Sequence, residues 1–212
     1  MKKVLKNIYE YIEHKVQILR GKYVLKNKDF TIISNNCWGG GRIYQRYALQ
    51  YTSPTVGLMF YADEYIKFVS NLRYYVEHEL TFIPKTKSKY YQYYKDKEKY
   101  YPIGVLDDIE IVFLHYKSEE EAREKWNRRK ARINWDNLIV KFNDQNRCTP
   151  EHIKAFDKLP YKHKICFVAN VVEGTKCTIQ FKEFEGQNFI PNDITTYGKY
   201  LDIDKYINSL KQ

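Results

Sequence analysis

The densest cluster of chemically versatile residues is the stretch FTIISNNCWGGGRIYQ, Phe30 to Gln45. Asn35 and Asn36 can hydrogen-bond a polar ligand. Cys37 can act as a nucleophile. Gly39, Gly40 and Gly41, followed by Arg42, can bring backbone N–H groups and a cation close to an anion. The β-branched run before them predicts a strand and the residues after them a helix, a layout in which a helix start faces a phosphate. The dinucleotide fingerprint G-x-G-x-x-G is absent, and no Walker lysine follows the glycines. Asp63 lies about 20 residues beyond the glycines, the interval at which an acid meets a ribose; it suits a helix N-cap equally well. A histidine titrates near neutrality, so His115, closing an apolar run, suits a general base acting on an acceptor hydroxyl. Its alternative is a histidine bonded to backbone. Cys37 near a helix start is expected to have a lowered pKa, and with His115 it would make a nucleophile–base pair for acyl transfer. Arg128 and Arg132, one helical turn apart, can clamp a phosphate or simply compensate a helix carboxyl end. Asp107-Asp108 precede their strand and read as a turn rather than a metal site. No metal-ligand spacing is found: Cys37, Cys148, Cys166 and Cys177 contain no CxxC.

Around these residues, SNNCWGG, IYQRYAL, SPTVGLMFYADEYIKFVSNLRYYV and the later EEAREKWNRRKARINWDNLIVKF resemble a bacterial domain-of-unknown-function family, nineteen-nineteen, met in exopolysaccharide and capsule biosynthesis loci. The resemblance runs from Asp29 to the strand at Lys164. It implies a cytoplasmic role in making a surface glycan and carries no reaction with it. The expectation is a transferase, glycosyltransferase-like, moving a sugar from a phosphate-activated donor, with a nucleotide sugar as the one bound small molecule foreseen. The rivals are a cysteine-dependent acyl or glycan-modifying transferase, and a non-catalytic glycan- or nucleic-acid-binding module.

Composition narrows the partners. The chain of 212 residues carries a formal net charge of +10, which favours an anionic partner: a phosphorylated metabolite, an anionic membrane surface or, less well supported, nucleic acid. No nucleic-acid motif is present. No apolar run is long enough to span a bilayer and no secretory signal opens the sequence, so the expected place is the cytoplasm, peripheral at the inner face of the cell membrane.

The elements that must position these residues follow from periodicity. A basic amphipathic helix with Leu5, Ile8, Ile12, Val16 and Leu19 on one face occupies most of residues 1–28 with a basic lead-in. Strands are expected at Phe30–Ile33, Val56–Tyr61, Ile109–His115, Leu138–Phe142, Lys164–Val171 and, antiparallel at an edge, Thr178–Phe184. Helices are expected at Arg42–Tyr51, after Asp63, after Ser118, after Thr149-Pro150 and near Asp202 or Asp204. The alternation predicts a single α/β domain over 1–212, with a mostly parallel, Rossmann-like sheet and helices on both faces. The segment 84–102 is an excursion of lysines and tyrosines without aliphatic residues. Its Lys85, Lys87, Lys89, Lys95, Lys97 and Lys99 are candidates for a membrane or acceptor surface, the alternative being plain solvation.

Overall fold

The computed structural model describes residues 2–96 and 101–210; Lys97 and Lys99 lie outside them. Four strands, β1 (Thr31–Ser34), β5 (Leu138–Asn143), β6 (His163–Val168) and β7 (Thr178–Gln180), form an all-parallel sheet in the order β1-β5-β6-β7. A second sheet is antiparallel, from β2 (Thr81–Ile83), β3 (Ile103–Leu106) and β4 (Ile109–Val112). Eight α-helical segments accompany them among the described residues: α1 (Lys2–Leu19), α2 (Tyr44–Arg46), α3 (Ala62–Ser70), α4 (Leu72–Glu77), α5 (Glu119–Lys130), α6 (Pro150–Lys158), α7 (Asp193–Thr196) and α8 (Ile203–Asn208).

Successive side chains of a strand point to opposite faces, so the parallel sheet separates two cores. Ile33, Val140, Phe142, Cys166 and Val168 pack with Tyr65 and Phe68 of α3, Trp126 of α5 and Phe156 of α6. Ile32, Ile139, Ile165 and Phe167 pack on the other face with Trp38, Tyr44, Tyr197 and Ile207. Helices therefore cover both faces, as a parallel sheet requires.

β1 is an edge strand whose outward backbone groups are met by side chains. Tyr44 Oη accepts from Ile32 N–H (3.1 Å), Thr55 Oγ1 accepts from Ser34 N–H (3.2 Å), and Thr52 Oγ1 donates to the Phe30 carbonyl (2.8 Å). These bonds explain why Val56–Tyr61 is not a strand of this sheet. Its chain turns at Gly57, which has φ +77°, and makes only an isolated bridge, Met59 to Val112. Ile109–His115 is likewise not a parallel strand. Asp107, at φ +54°, and Asp108 close a two-residue turn that folds β4 back on β3. Asp107 accepts from Tyr74 Oη and Asp108 pairs with Lys67, so both carboxylates serve the turn, as expected. The edge strand near Thr178 is present but shortened, and it pairs parallel to β6 rather than antiparallel as expected.

The helix after the glycines begins earlier than its sequence suggests. Trp38–Ile43 forms a wide, π-type turn, α2 follows, and the helix ends before Ala48, which has φ +50°. The lysine–tyrosine excursion acquires its own core: Tyr90 and Tyr94 are buried with Tyr61, Ile103 and Val112, and the Tyr61 and Tyr90 rings stack at 3.9 Å. Lys89 pairs with the buried Glu64 at 2.7 Å, and Lys85 lies over the Tyr94 ring. The described part of the segment is thus a packed flap rather than a uniformly solvated one; Lys87 and Lys95 remain exposed.

Two of the three glycines are packing residues. A Cβ on Gly39 would lie 2.6 Å from Ile32 Cγ2, and one on Gly40 2.4 Å from the Val56 Cα. A Cβ on Gly41 would meet nothing closer than Cys37 Cβ at 4.0 Å. A side chain at Gly40 would therefore disturb packing before it reached any ligand. Gly40→Ala is expected to lower the urea-unfolding free energy by about 1–3 kcal/mol through overpacking against backbone, while Gly41→Ala leaves the midpoint nearly unchanged.

Candidate functional site

The loop after β1 sits over a buried polar network. Lys141, on the inner strand β5, is completely buried, and Asp193 of α7 is 1% exposed. The Lys141 ammonium ion-pairs with Asp193 and donates to Asn36 Oδ1 at 3.0 Å. Asn36 Nδ2 donates to both Asp193 oxygens at 3.0 Å, and Asn143 Nδ2 to Asp193 Oδ2 at 2.8 Å. Asn35 Nδ2 donates to Asn143 Oδ1 at 2.7 Å. The same ammonium lies over the Trp38 and Phe167 rings, at 5.8 and 5.4 Å. Asn35 and Asn36 are thereby committed to holding β1, β5 and α7 together. Burial pulls the Lys141 ammonium below its ordinary pKa, while the charge of Asp193 and its hydrogen bond oppose the shift.

Beside this network opens a cleft of about 560 Å³ lined by residues including Cys37, Gly41, Arg42, Gln45, Tyr51, Gly57, His115, Tyr116, Lys125 and Arg129. Cys37, Gly41, Arg42 and His115, far apart in sequence, do converge here. Cys37 is not an activated thiol, however. Burial, and then the charge of Asp193, push its pKa up from 9.0, and Lys141 only partly offsets them. The expected helix-start lowering fails because the partly buried thiol is desolvated and has a carboxylate for a neighbour. Its Sγ is 4.0 Å from the Leu58 carbonyl, and no hydrogen bond joins it to His115 among the described residues. His115 is exposed at the rim, its N–H bonded to the Gly57 carbonyl at 3.3 Å.

Arg129 was not among the residues singled out from sequence. It is 7% exposed. Its Nη1 donates to the Val56 carbonyl at 3.2 Å and to Tyr116 Oη at 2.5 Å, and its guanidinium lies 4.9 Å from the Tyr51 ring centroid. No carboxylate among the described residues ion-pairs with it. Lys125, which also lines the cleft, pairs with Glu121 at 2.5 Å. The signal was present in sequence: Ala122, Trp126, Arg129 and Ile133 recur at spacings of four, three and four, so Arg129 falls on the buried stripe of α5. Arg128 and Arg132 fall off it. Arg128 is exposed and pairs with Glu124, and neither lines the cleft. Asp63 is also elsewhere: it accepts from His152 Nε2 at 2.7 Å, while His152 Nδ1 accepts from Thr149 N–H at the start of α6. Asp63 is neither the N-cap of α3, a position held by Tyr61, nor a lining residue of the cleft.

The model of a family described as "Domain of unknown function (DUF1919)" matches residues 6–211. The chain belongs to the DUF1919 family. A relative from Haemophilus influenzae, described as an "Uncharacterized protein", is 33% identical over 187 residues, covering 86% of this chain and 84% of the relative.

Two outcomes test the site. Lys141→Met leaves Asp193 buried and unpaired, and is expected to cost about 3–5 kcal/mol in denaturant unfolding; Asp193→Asn in the same chain should recover part of it. A raised thiol pKa means less thiolate at any given pH, so iodoacetamide should alkylate Cys37 more slowly than a free cysteine at about neutral pH. The rate should still be rising with pH beyond 9.0, where that of an unperturbed thiol levels off, read by peptide mass spectrometry.

Proposed function

We propose that the cleft binds the phosphate of an activated sugar donor and that this DUF1919 chain is a transferase in glycan assembly on the cytoplasmic side of the membrane. The observation that carries the reading is Arg129: a buried guanidinium held by a carbonyl and a phenol, with no ion-paired carboxylate among the described residues. Burying a charge is costly unless an opposite charge joins it, and a planar guanidinium suits phosphate oxygens. Arg42 at the mouth adds positive charge, Lys125 on the wall being paired with Glu121, and the half-buried Tyr51 lines the cleft where a sugar or base would lie. The reading treats the sheet as a Rossmann-like platform with its ligand beyond the carboxyl ends of the strands. Phosphate capture is assigned to side-chain cations, since Gly39 and Gly40 are packed into the protein. His115 at the rim is the proposed base: it accepts the proton of an acceptor hydroxyl as that oxygen bonds to the donor sugar carbon, while the carbon–oxygen bond to the activating phosphate breaks and the phosphate leaves with its electron pair, held by Arg129. The role in exopolysaccharide or capsule assembly rests on the sequence resemblance. The cysteine-dependent alternative is disfavoured by the raised pKa of Cys37.

Calorimetric titration with nucleotide sugars, bare nucleotides and pyrophosphate tests the reading. Arg129→Met is expected to weaken a phosphate-bearing ligand by about 10- to 150-fold, the equivalent of one charge-assisted contact. His115→Gln should retain the affinity and lower turnover by about 10²- to 10⁴-fold. If the unaltered protein binds none of these phosphates, the proposal fails.

A further inference from the structure

Among the described residues the apolar face of α1 is left largely uncovered. Leu5, Ile8, Ile12 and Leu19 are each at least half exposed, from 50% at Ile8 to 60% at Leu5. At about 100° per residue these four and Val16 fall within one arc of roughly a quarter of the helix circumference. Tyr9, Tyr11 and Tyr23 are also exposed. The protein holds this stretch near its far end instead. A Cβ on Gly21 would lie 2.2 Å from the Tyr47 carbonyl oxygen, and Asn208 of α8 bonds both the Val24 carbonyl and Lys26 N–H. Most helical stability in proteins comes from packing an amphipathic face, so a helix of 18 residues with its face bare is built to lie on something else.

We infer that α1 docks on an anionic lipid bilayer. Charge selects this partner. Between residues 2 and 22 six lysines and arginines stand against Glu10 and Glu13, and the whole chain carries +10. Lys15, Arg20 and Lys22 are exposed, and Lys15 and Lys22 lie over the rings of Tyr11 and Tyr23. An apolar arc bordered by cations with tyrosines beside it matches the chemistry of a helix lying in a headgroup layer, its stems snorkelling to the phosphates. A second copy of the chain fits less well. With Leu5, Ile8 and Ile12 at the a, d and a positions of a heptad, the next d position is Lys15, and two such faces would bring like charges together.

The root of α1 adjoins the cleft. Val16, Gln17 and Arg20 share a groove with Arg42 and Gln45, and Arg42 and Gln45 also line the cleft. A docked α1 therefore holds the cleft mouth beside the lipid surface, where a lipid-linked phosphate could reach it. That consequence rests on the phosphate reading of the cleft; the docking does not.

Vesicle co-sedimentation of the full chain tests the inference. Vesicles of phosphatidylcholine with phosphatidylglycerol should pellet the protein at low salt, and vesicles of phosphatidylcholine alone should pellet much less. Replacing Ile8, Ile12 and Leu19 with Ser, at exposed positions, should lower binding by at least about tenfold, because the apolar area supplies the anchoring. The melting temperature and the affinity for pyrophosphate should be unchanged, which separates this result from failure of the cleft. Absence of binding to anionic vesicles at low salt overturns the inference. So does binding that survives the serine replacements but falls when Lys85, Lys87, Lys89 and Lys95 become Gln, which would assign docking to the lysine–tyrosine flap. A lipid-free dimer by light scattering that the serine replacements dissociate would make the face an interface between copies instead.

Discussion

The buried Lys141–Asp193 pair is the constraint on which the rest of the molecule depends. An ammonium at the centre of a parallel sheet is costly to desolvate, by several kcal/mol even after relaxation. Here it is met by one carboxylate and one amide oxygen, and the carboxylate is in turn met by Asn36 and Asn143. The four residues come from the loop after β1, from β5 and from α7, so the network forms only when the late α7 segment closes over the sheet. Asp144 extends the same logic: its carboxylate accepts from Ala169 N–H and Ile190 N–H, fixing the chain on either side of β7. Polar networks of this kind are stabilising when every member is satisfied and costly when one is missing, which ties the geometry of the loop to the arrival of the last helices.

That dependence separates two roles that adjoin in sequence. Asn35, Asn36, Gly39 and Gly40 look inward and build the floor; Cys37, Gly41 and Arg42 look outward into the cleft. The opposite wall is supplied by α5 and the turn before it, which carry Arg129, Lys125, Tyr116 and His115. The cleft thus lies between an element anchored in the parallel sheet and one anchored beside the antiparallel hairpin. Its positive character comes from side chains on these two walls, where the sequence had suggested backbone N–H groups.

The sequence made legible what depends on local pattern. The strands at β1, β5 and β6, the helices α5 and α6 with their caps at Ser118 and Thr149, and the turn at Asp107-Asp108 all follow from period, capping chemistry and turn residues. The convergence of the loop after β1 with His115 was also readable. What failed depends on tertiary choice. Val56–Tyr61 has strand composition, yet β1 satisfies its open edge with Tyr44, Thr52 and Thr55, leaving no place for a neighbouring strand. Tyr90 and Tyr94 looked solvated because a core made of tyrosines has no aliphatic stripe to reveal it. Arg128 and Arg132 drew attention by their one-turn spacing, while Arg129 was hidden among basic residues although it alone of the three lies on the stripe of Trp126. Lys141 was read as part of an apolar strand, since nothing local announces that a lysine's partner stands some fifty residues away at Asp193.

The side-chain bonds along the outer edge of β1 have a consequence for assembly. Open edges of parallel sheets are templates on which a second chain can add a strand, and proteins suppress this with short edges, charges or covering segments. In this protein the Ile32 and Ser34 amides and the Phe30 carbonyl are already occupied by hydroxyls. The apolar run Phe30–Ile33, which as a free peptide has the composition of an aggregating segment, is thereby unable to recruit a copy of itself without first breaking those bonds. The opposite edge, β7, is only three residues long. The parallel sheet is therefore closed to strand addition on its β1 side by three hydroxyl side chains and offers only a short run on the other.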